Sequence, residues 1–264
     1  MNTTMLKKST LAACLIGAIV LTVAATPAAA ESPDSGDHWS FNAALYFWYA
    51  SIGGRTSTGT GIDVDAGDIV DNLDGAFMGI IGARKGKWSV MADLIYLSLA
   101  DDEKGIATVP VQPGVTAPID AGIDVEGRVV TLSGARNVVD TEQATFDLLV
   151  GGRYLKLESD LTLDVGAPAP PGRQTFSDSG SVWDAIIGVN GQIKLADKWY
   201  LSVYGDVGTG DSKTTWQAYA GIGYRFSKVD LELAYRHIEW DFDDRPVFDD
   251  LNFSGPFAGL NIRF

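Results

Sequence analysis

The reading of the fold turns on residues 255–264, GPFAGLNIRF. From Ala258 onward every second residue is apolar (Ala258, Leu260, Ile262, Phe264), and Asn261 and Arg263 lie between them. A two-residue period places these sets on opposite faces of a β-strand. This one runs to the last residue, where chains ordinarily fray. It therefore needs both a partner strand for its backbone and a surrounding medium for its apolar face.

The same period recurs along the chain. WSFNAALYFWYA from Trp39, KWSVMADLIYLSL from Lys87 and ATFDLLVGGRYL from Ala144 all alternate. So do VWDAIIGVNGQI from Val182, WYLSVYGDV from Trp199, WQAYAGIGYRF from Trp216 and VDLELAYRH from Val229. FMGIIGAR near Phe77 is apolar on both faces and GRVVTLSGARNVV near Val129 alternates in part; both are read as strands. The connections alternate too. RKGK, VVDTEQ, LADK and SK are tight, whereas 57–75, 101–122, 159–180 and 241–250 are long and rich in Asp, Gly and Pro. Tight-then-long alternation predicts an antiparallel up-and-down sheet of ten strands, with eight as the alternative, and both termini on the tight-turn side.

Composition limits what this sheet can be. The chain has 264 residues, 34 acids, 20 Lys and Arg and a net charge of −14. Nucleic acid, which is bound by neutralising phosphate, is not expected as a partner. Lys7 and Lys8, the apolar run Leu11–Ala25 and small residues at Ala28 and Ala30 match a secretory signal cleaved after Ala30. The run is too short for the ~20 residues of a spanning helix. Cleavage would leave residues 31–264 as one domain, remove Cys14, the sole cysteine, and take the net charge to −16. Disulfides and thiolate chemistry would then be excluded.

The apolar face can be turned inward onto a core or outward onto lipid. Three features favour lipid. The polar face carries Asp93, Asp147, Asp184, Asp206 and Glu232 with Arg153, Arg225, Arg236 and Arg263, a nearly balanced set able to pair inside a narrow barrel. Aromatics gather at strand ends: Trp88, Trp199 and Phe226 near tight turns, Trp183, Trp216 and Trp240 near long connections, as two interfacial girdles. Closure also leaves no unpaired edge in lipid, so the final strand must be complete in order to meet the first. The expected fold is an all-β transmembrane barrel, its lumen filled by paired charges together with Tyr200, Tyr204, Tyr219 and Phe257.

At this point the chain resembles bacterial outer-membrane β-barrels. YFWYASIGG, DIVDNLDGAFMG, GGRYLKLE, WQAYAGIGYRF and LELAYRH are similar to a widespread proteobacterial group of small OmpA-like, porin-type barrels. The resemblance covers nearly all of residues 39–264. It implies an outer-membrane location and contact with lipopolysaccharide. It also implies that Ala258, Leu260, Ile262 and Phe264 form the signal read by the barrel-assembly machinery. It implies no activity.

Candidate chemistry is sparse. Asp63, Asp65 and Asp74 fall at the first, third and twelfth positions of a calcium-loop count, but Gly67 and Asp68 stand where a ligand and the turn glycine belong. The loops' carboxylates, among them Asp101, Asp102, Glu103, Asp243, Asp244, Asp249 and Asp250, suit solubility or shared divalent cations. Apart from His38, His237 is the only histidine. It shares a face with Leu233 and Tyr235, away from the lumen and from Asp101–Asp102, which argues against an aspartate–histidine protease. A lipid-modifying site would need a serine beside it, which the spacing does not place. The expectation is a non-enzymatic surface or structural barrel without cofactors. A small passive channel is the first alternative and a lipid- or protein-hydrolysing barrel the second.

Overall fold

In the computed structural model, residues 38–112, 115–165, 172–242 and 248–264 are described; for 102–119, 121, 165 and 172 this extends to the backbone alone. The segment read as a signal, and Asp243 and Asp244, lie outside the described residues, as do the side chains of Asp102 and Glu103. The chain order is β1 (Trp39–Trp48), β2 (Ser51–Thr56), β3 (Gly61–Val64), α1 (Ala66–Asp71), β4 (Leu73–Lys85) and β5 (Trp88–Gln112). There follow β6 (Val115–Asp140), β7 (Ala144–Val165), β8 (Gly172–Lys194), β9 (Trp199–Gly210), β10 (Thr214–Arg225), β11 (Val229–Asp241) and β12 (Phe248–Arg263).

Ten of these strands, β1 and β4 to β12, form one antiparallel sheet that closes on itself through β1 and β12. The closing register runs from Asn42↔Arg263 to Trp48↔Phe257. The last residue takes part, since the Phe264 N–H donates to the Phe41 carbonyl at 2.8 Å. The patterned C-terminal strand is thus the stave that closes the barrel. The outward faces carry Leu45, Ile81, Val90, Leu132, Val150, Ile187, Leu233 and Leu260, all more than half exposed. Such a belt of apolar side chains around a closed sheet is solvated by lipid, which defines a membrane-spanning barrel.

Two expected loops are strands. The described parts of the stretches 101–122 and 159–180, namely 101–112, 115–122, 159–165 and 172–180, stay in the sheet. β5 to β8 run 25, 26, 22 and 23 residues, continuing their ladders well past the ~10 residues that span a membrane. Their alternation had been obscured by Asp, Gly and Pro, which weaken strand propensity without preventing pairing along so long a neighbour.

The first long connection also has structure. Pairing between β1 and β4 stops at Leu45↔Gly79. Beyond it β2 takes over the ladder with β12 and turns back on β3, and the short helix α1, with Ala66 and Ile69 buried, leads into β4. At Gly54 the φ is +154° and an added Cβ would stand 2.3 Å from the Asp250 carbonyl oxygen. Glycine is needed there for β2 to follow the register shift between Phe248 and Asp250.

Candidate functional site

The lumen is filled in three tiers. Midway, two arginines hold a buried polar layer. Arg236, from β11, donates to Asp93 Oδ2 at 2.7 Å, to the Tyr46 hydroxyl at 3.0 Å and to Gln217 Oε1 at 3.1 Å. Tyr46 in turn donates to Asp93 Oδ1 at 2.6 Å. Arg153, from β7, donates to Asp206 Oδ2 at 2.5 Å, Thr215 Oγ1 at 3.1 Å and the same Gln217 oxygen at 3.2 Å. Gln217 therefore joins the two ion pairs into one network spanning β1, β5, β7, β9, β10 and β11. The side chains of Arg153 and Asp206 are fully buried and those of Arg236 and Asp93 nearly so. Removing charges from water is costly unless each is paired and hydrogen-bonded, and these are.

Toward the tight-turn end lies a tier of tyrosines and a carboxylate. Glu232 accepts from Tyr219, Ser202 and, at 3.3 Å, Tyr200. Tyr200 lies over the bare backbone of the neighbouring strand β10, since a Cβ at Gly223 would fall 2.1 Å from its ring. A cavity of about 200 Å³ lies among these side chains and reaches Asp93 and Arg236. Arg84 and Asn137 hold Asp147, and Arg263 and Arg225 flank Asp230 at the mouth.

Toward the long-hairpin end the filling is apolar. Trp48, Ile95, Val129, Leu155, Val182, Ile238, Trp240 and Leu251 form one buried cluster. Trp48 lies 5.0 Å from the Arg236 guanidinium and Trp240 5.9 Å from that of Arg153, so an indole ring caps each arginine. Above them a cavity of about 600 Å³ is lined by apolar Val125, Leu155, Leu157, Val182, Phe242 and Phe248 and by polar Glu158, Ser159, Asp178, Ser179 and Ser181.

The nine expected lumen residues all point inward, but they do not form one network. Asp184 accepts from the backbone N–H and hydroxyl of Ser212, at 2.9 and 2.8 Å, and so holds the β9–β10 turn. Arg225 and Arg263 line the tight-turn mouth. Tyr46, Arg84, Gln217 and Asp230 were missed. Alternation did place Asp230, Gln217 and Tyr46 on the polar or inner faces, and only their partners were illegible.

Among the girdle residues, Trp88, Trp183, Trp199, Trp216 and Phe226 are exposed on the outer wall. Trp240 corrects the expectation: it is fully buried in the lumen. Its position follows the strict alternation from Arg236 through Ile238, which proximity to a long connection had overruled. Asp63 lies in β3, Asp65 immediately precedes α1 and Asp74 belongs to β4, and among the described residues no three His, Cys, Asp or Glu side chains are grouped as a metal site.

His237 is on the outer wall, as its alternation required, and it has partners the sequence could not place. Its Nδ1 is 2.6 Å from Ser254 Oγ and its Nε2 is 3.1 Å from Glu239 Oε2. The pairing His237↔Ser254 of β11 with β12 brings the serine there. Such a cross-strand neighbour can be found only once the register is known.

Against known proteins, no family model matches the chain and no curated protein does. Solved structures do: the outer membrane protease OmpT from Escherichia coli (11% identity, TM-score 0.46, 87% of this chain and 98% of that one) is one. Another is the translocator domain of the autotransporter NalP from Neisseria meningitidis (13%, 0.43, 88% and 90%). A third is Ail, the attachment invasion locus protein of Yersinia pestis (10%, 0.36, 86% and 99%). At these values the likeness adds nothing to what the strand order already shows.

Proposed function

We propose that this chain is an outer-membrane barrel of a Gram-negative envelope whose lumen is closed to solutes and whose work is done at its outer end. The observation that carries this reading is the Asp93–Arg236–Gln217–Arg153–Asp206 layer. It occupies the barrel from wall to wall, it is buried, and apolar side chains cover one side of it. Ten strands enclose an interior only a little wider than side chains can fill, so such a layer suffices to close it. The tight turns face the periplasm and the long hairpins the exterior, which is the usual arrangement for this architecture.

The outer end then serves for binding. The inward faces of β6 and β7 are apolar there (Val125, Leu155, Leu157), while their outward faces carry Asp124, Glu126, Glu158 and Asp160. The cup above the seal suits an apolar or amphipathic ligand. The acidic faces suit divalent cations shared with lipopolysaccharide phosphates.

Planar-bilayer recording of residues 31–264 tests the closed lumen. The expected result is an inserted, folded barrel with no steady conductance steps. Regular single-channel steps from the unmutated protein would overturn the reading in favour of a small channel.

A further inference from the structure

Ser254, His237 and Glu239 form a connected acid–base chain on the lipid-facing side of the wall, and the lumen reading makes no use of it. With the imidazole neutral and Glu239 ionised, and so only able to accept, Nε2 carries the proton and Nδ1 accepts from the Ser254 hydroxyl. A serine oxygen bonded to a basic imidazole nitrogen, the ring oriented by a carboxylate, is the arrangement of an activated nucleophile. All three residues are reachable by a substrate, since the His237 and Glu239 side chains are 22% and 33% exposed and Ser254 is half-buried. Trp216 packs on the imidazole with centroids 4.4 Å apart and fixes its plane.

The position is as specific as the geometry. Along the outer face of β11 the residues read Leu231, Leu233 and Tyr235, all exposed, then His237 and Glu239. Along β12 they read Leu260, Ala258, Pro256, then Ser254 and Asn252. The chain of hydrogen bonds therefore begins one residue pair above the apolar belt, at the depth where acyl chains join their headgroups. The backbone N–H groups here are committed to the β-ladder, so an oxyanion needs a side-chain donor. Asn252, two residues from Ser254 on the same face and paired across β11 with Glu239, carries one. Gly53 leaves room for that amide, because a Cβ there would lie 3.0 Å from Asn252 Oδ1.

The geometry points to an esterase site: Ser254 and His237 cleave carboxylic esters of outer-leaflet lipids at the membrane boundary, with Glu239 as the residue that positions the histidine. Ser254 Oγ forms a bond to the ester carbonyl carbon while its proton passes to His237 Nδ1. The ester C–O bond then breaks and the leaving alkoxide takes that proton. Water, deprotonated by the same nitrogen, attacks the acyl-serine. Ser254 recovers its proton and a fatty acid departs. Ester and water give alcohol and acid, and no other reactant is required.

The test uses residues 31–264 refolded in liposomes of phosphatidylethanolamine and lipopolysaccharide. It reads labelling by a fluorophosphonate and fatty acid released, identified by mass spectrometry. Heat-modifiable gel migration checks that each variant is folded. The expected result is labelling at Ser254 and release that falls roughly 10³-fold in Ser254→Ala and His237→Ala, with a smaller loss in Glu239→Gln. Which lipid loses a chain identifies the substrate. A folded wild type that neither labels nor releases fatty acid, or release that survives Ser254→Ala, would overturn the proposal. Either result leaves the closed lumen untouched, since that is read from conductance.

Discussion

The lower and upper halves of β7 obey the same pleat with opposite chemistry. Below, Asp147 and Arg153 point inward while Leu148, Val150 and Tyr154 point out; above, Leu155 and Leu157 point inward while Lys156, Glu158 and Asp160 point out. β11 makes the same exchange, from Glu232 and Arg236 inside to Ile238 and Trp240 inside, with His237 and Glu239 outside. The strand has not slipped; the solvent on its outer side has changed. Where lipid surrounds the wall, polar groups are sequestered in the lumen, and where water surrounds it, an apolar core forms inside as in any soluble sheet. The exchange falls at a ring of aromatics: Tyr96 under the Arg128 guanidinium at 5.6 Å, Tyr154 against Trp183 at 4.6 Å, and Trp216 against His237. That ring marks the membrane boundary on the long-hairpin side.

The largest expected effect comes from breaking the lower half's polar layer. Arg153→Met leaves Asp206 buried without its cation and should cost about 3–5 kcal/mol, measured by urea titration of the folded barrel in lipid. Adding Asp206→Leu should recover most of that loss, because the cost lies in the orphaned charge more than in the missing pair. In the upper half Trp240→Ala should cost about 3–5 kcal/mol, the range for emptying a packed aromatic site. Trp216→Ala, on the outer wall, should cost clearly less. Equal losses at the two tryptophans would place both in one environment.

These pairs also show what the sequence could reveal. The period-two pattern carried the wall, because alternation is a property of single strands and survives without knowledge of neighbours. It placed Asp93, Arg153, Asp206 and Arg236 inward, and the same period continued past His237 leads to Trp240 inward as well. What misassigned Trp240 was the assumption that a tryptophan near a long connection belongs to a lipid girdle, which fails above the membrane edge. The stretches 101–122 and 159–180 read as loops because Asp, Gly and Pro interrupt their alternation. The partners were beyond reach for a different reason. Arg153 on β7 meets Asp206 on β9 across the one intervening strand β8, and His237 meets Ser254 on the directly paired strand, so both depend on registers that no local pattern encodes.

Two smaller effects sharpen the boundary. Ile187→Lys, in the belt, should cost about 2–4 kcal/mol, whereas Ser181→Lys, six residues away on the same outward face but past Trp183, should stay within about 0.5 kcal/mol. Asp184→Ala should cost about 1–2 kcal/mol by freeing the Ser212 donors, without opening the lumen, since Asp184 holds a turn rather than the central layer.

The membrane edge can be read directly, because residues 31–264 contain no cysteine to interfere. Single cysteines at Ser179, Ser181, Ile187 and Val189, all on the outward face of β8, would be labelled in lipid with a water-soluble maleimide. Full labelling at positions 179 and 181 with protection at 187 and 189 is the result expected if polarity inverts at the Trp183 ring. Uniform labelling along the strand, or protection above Trp183, would contradict it.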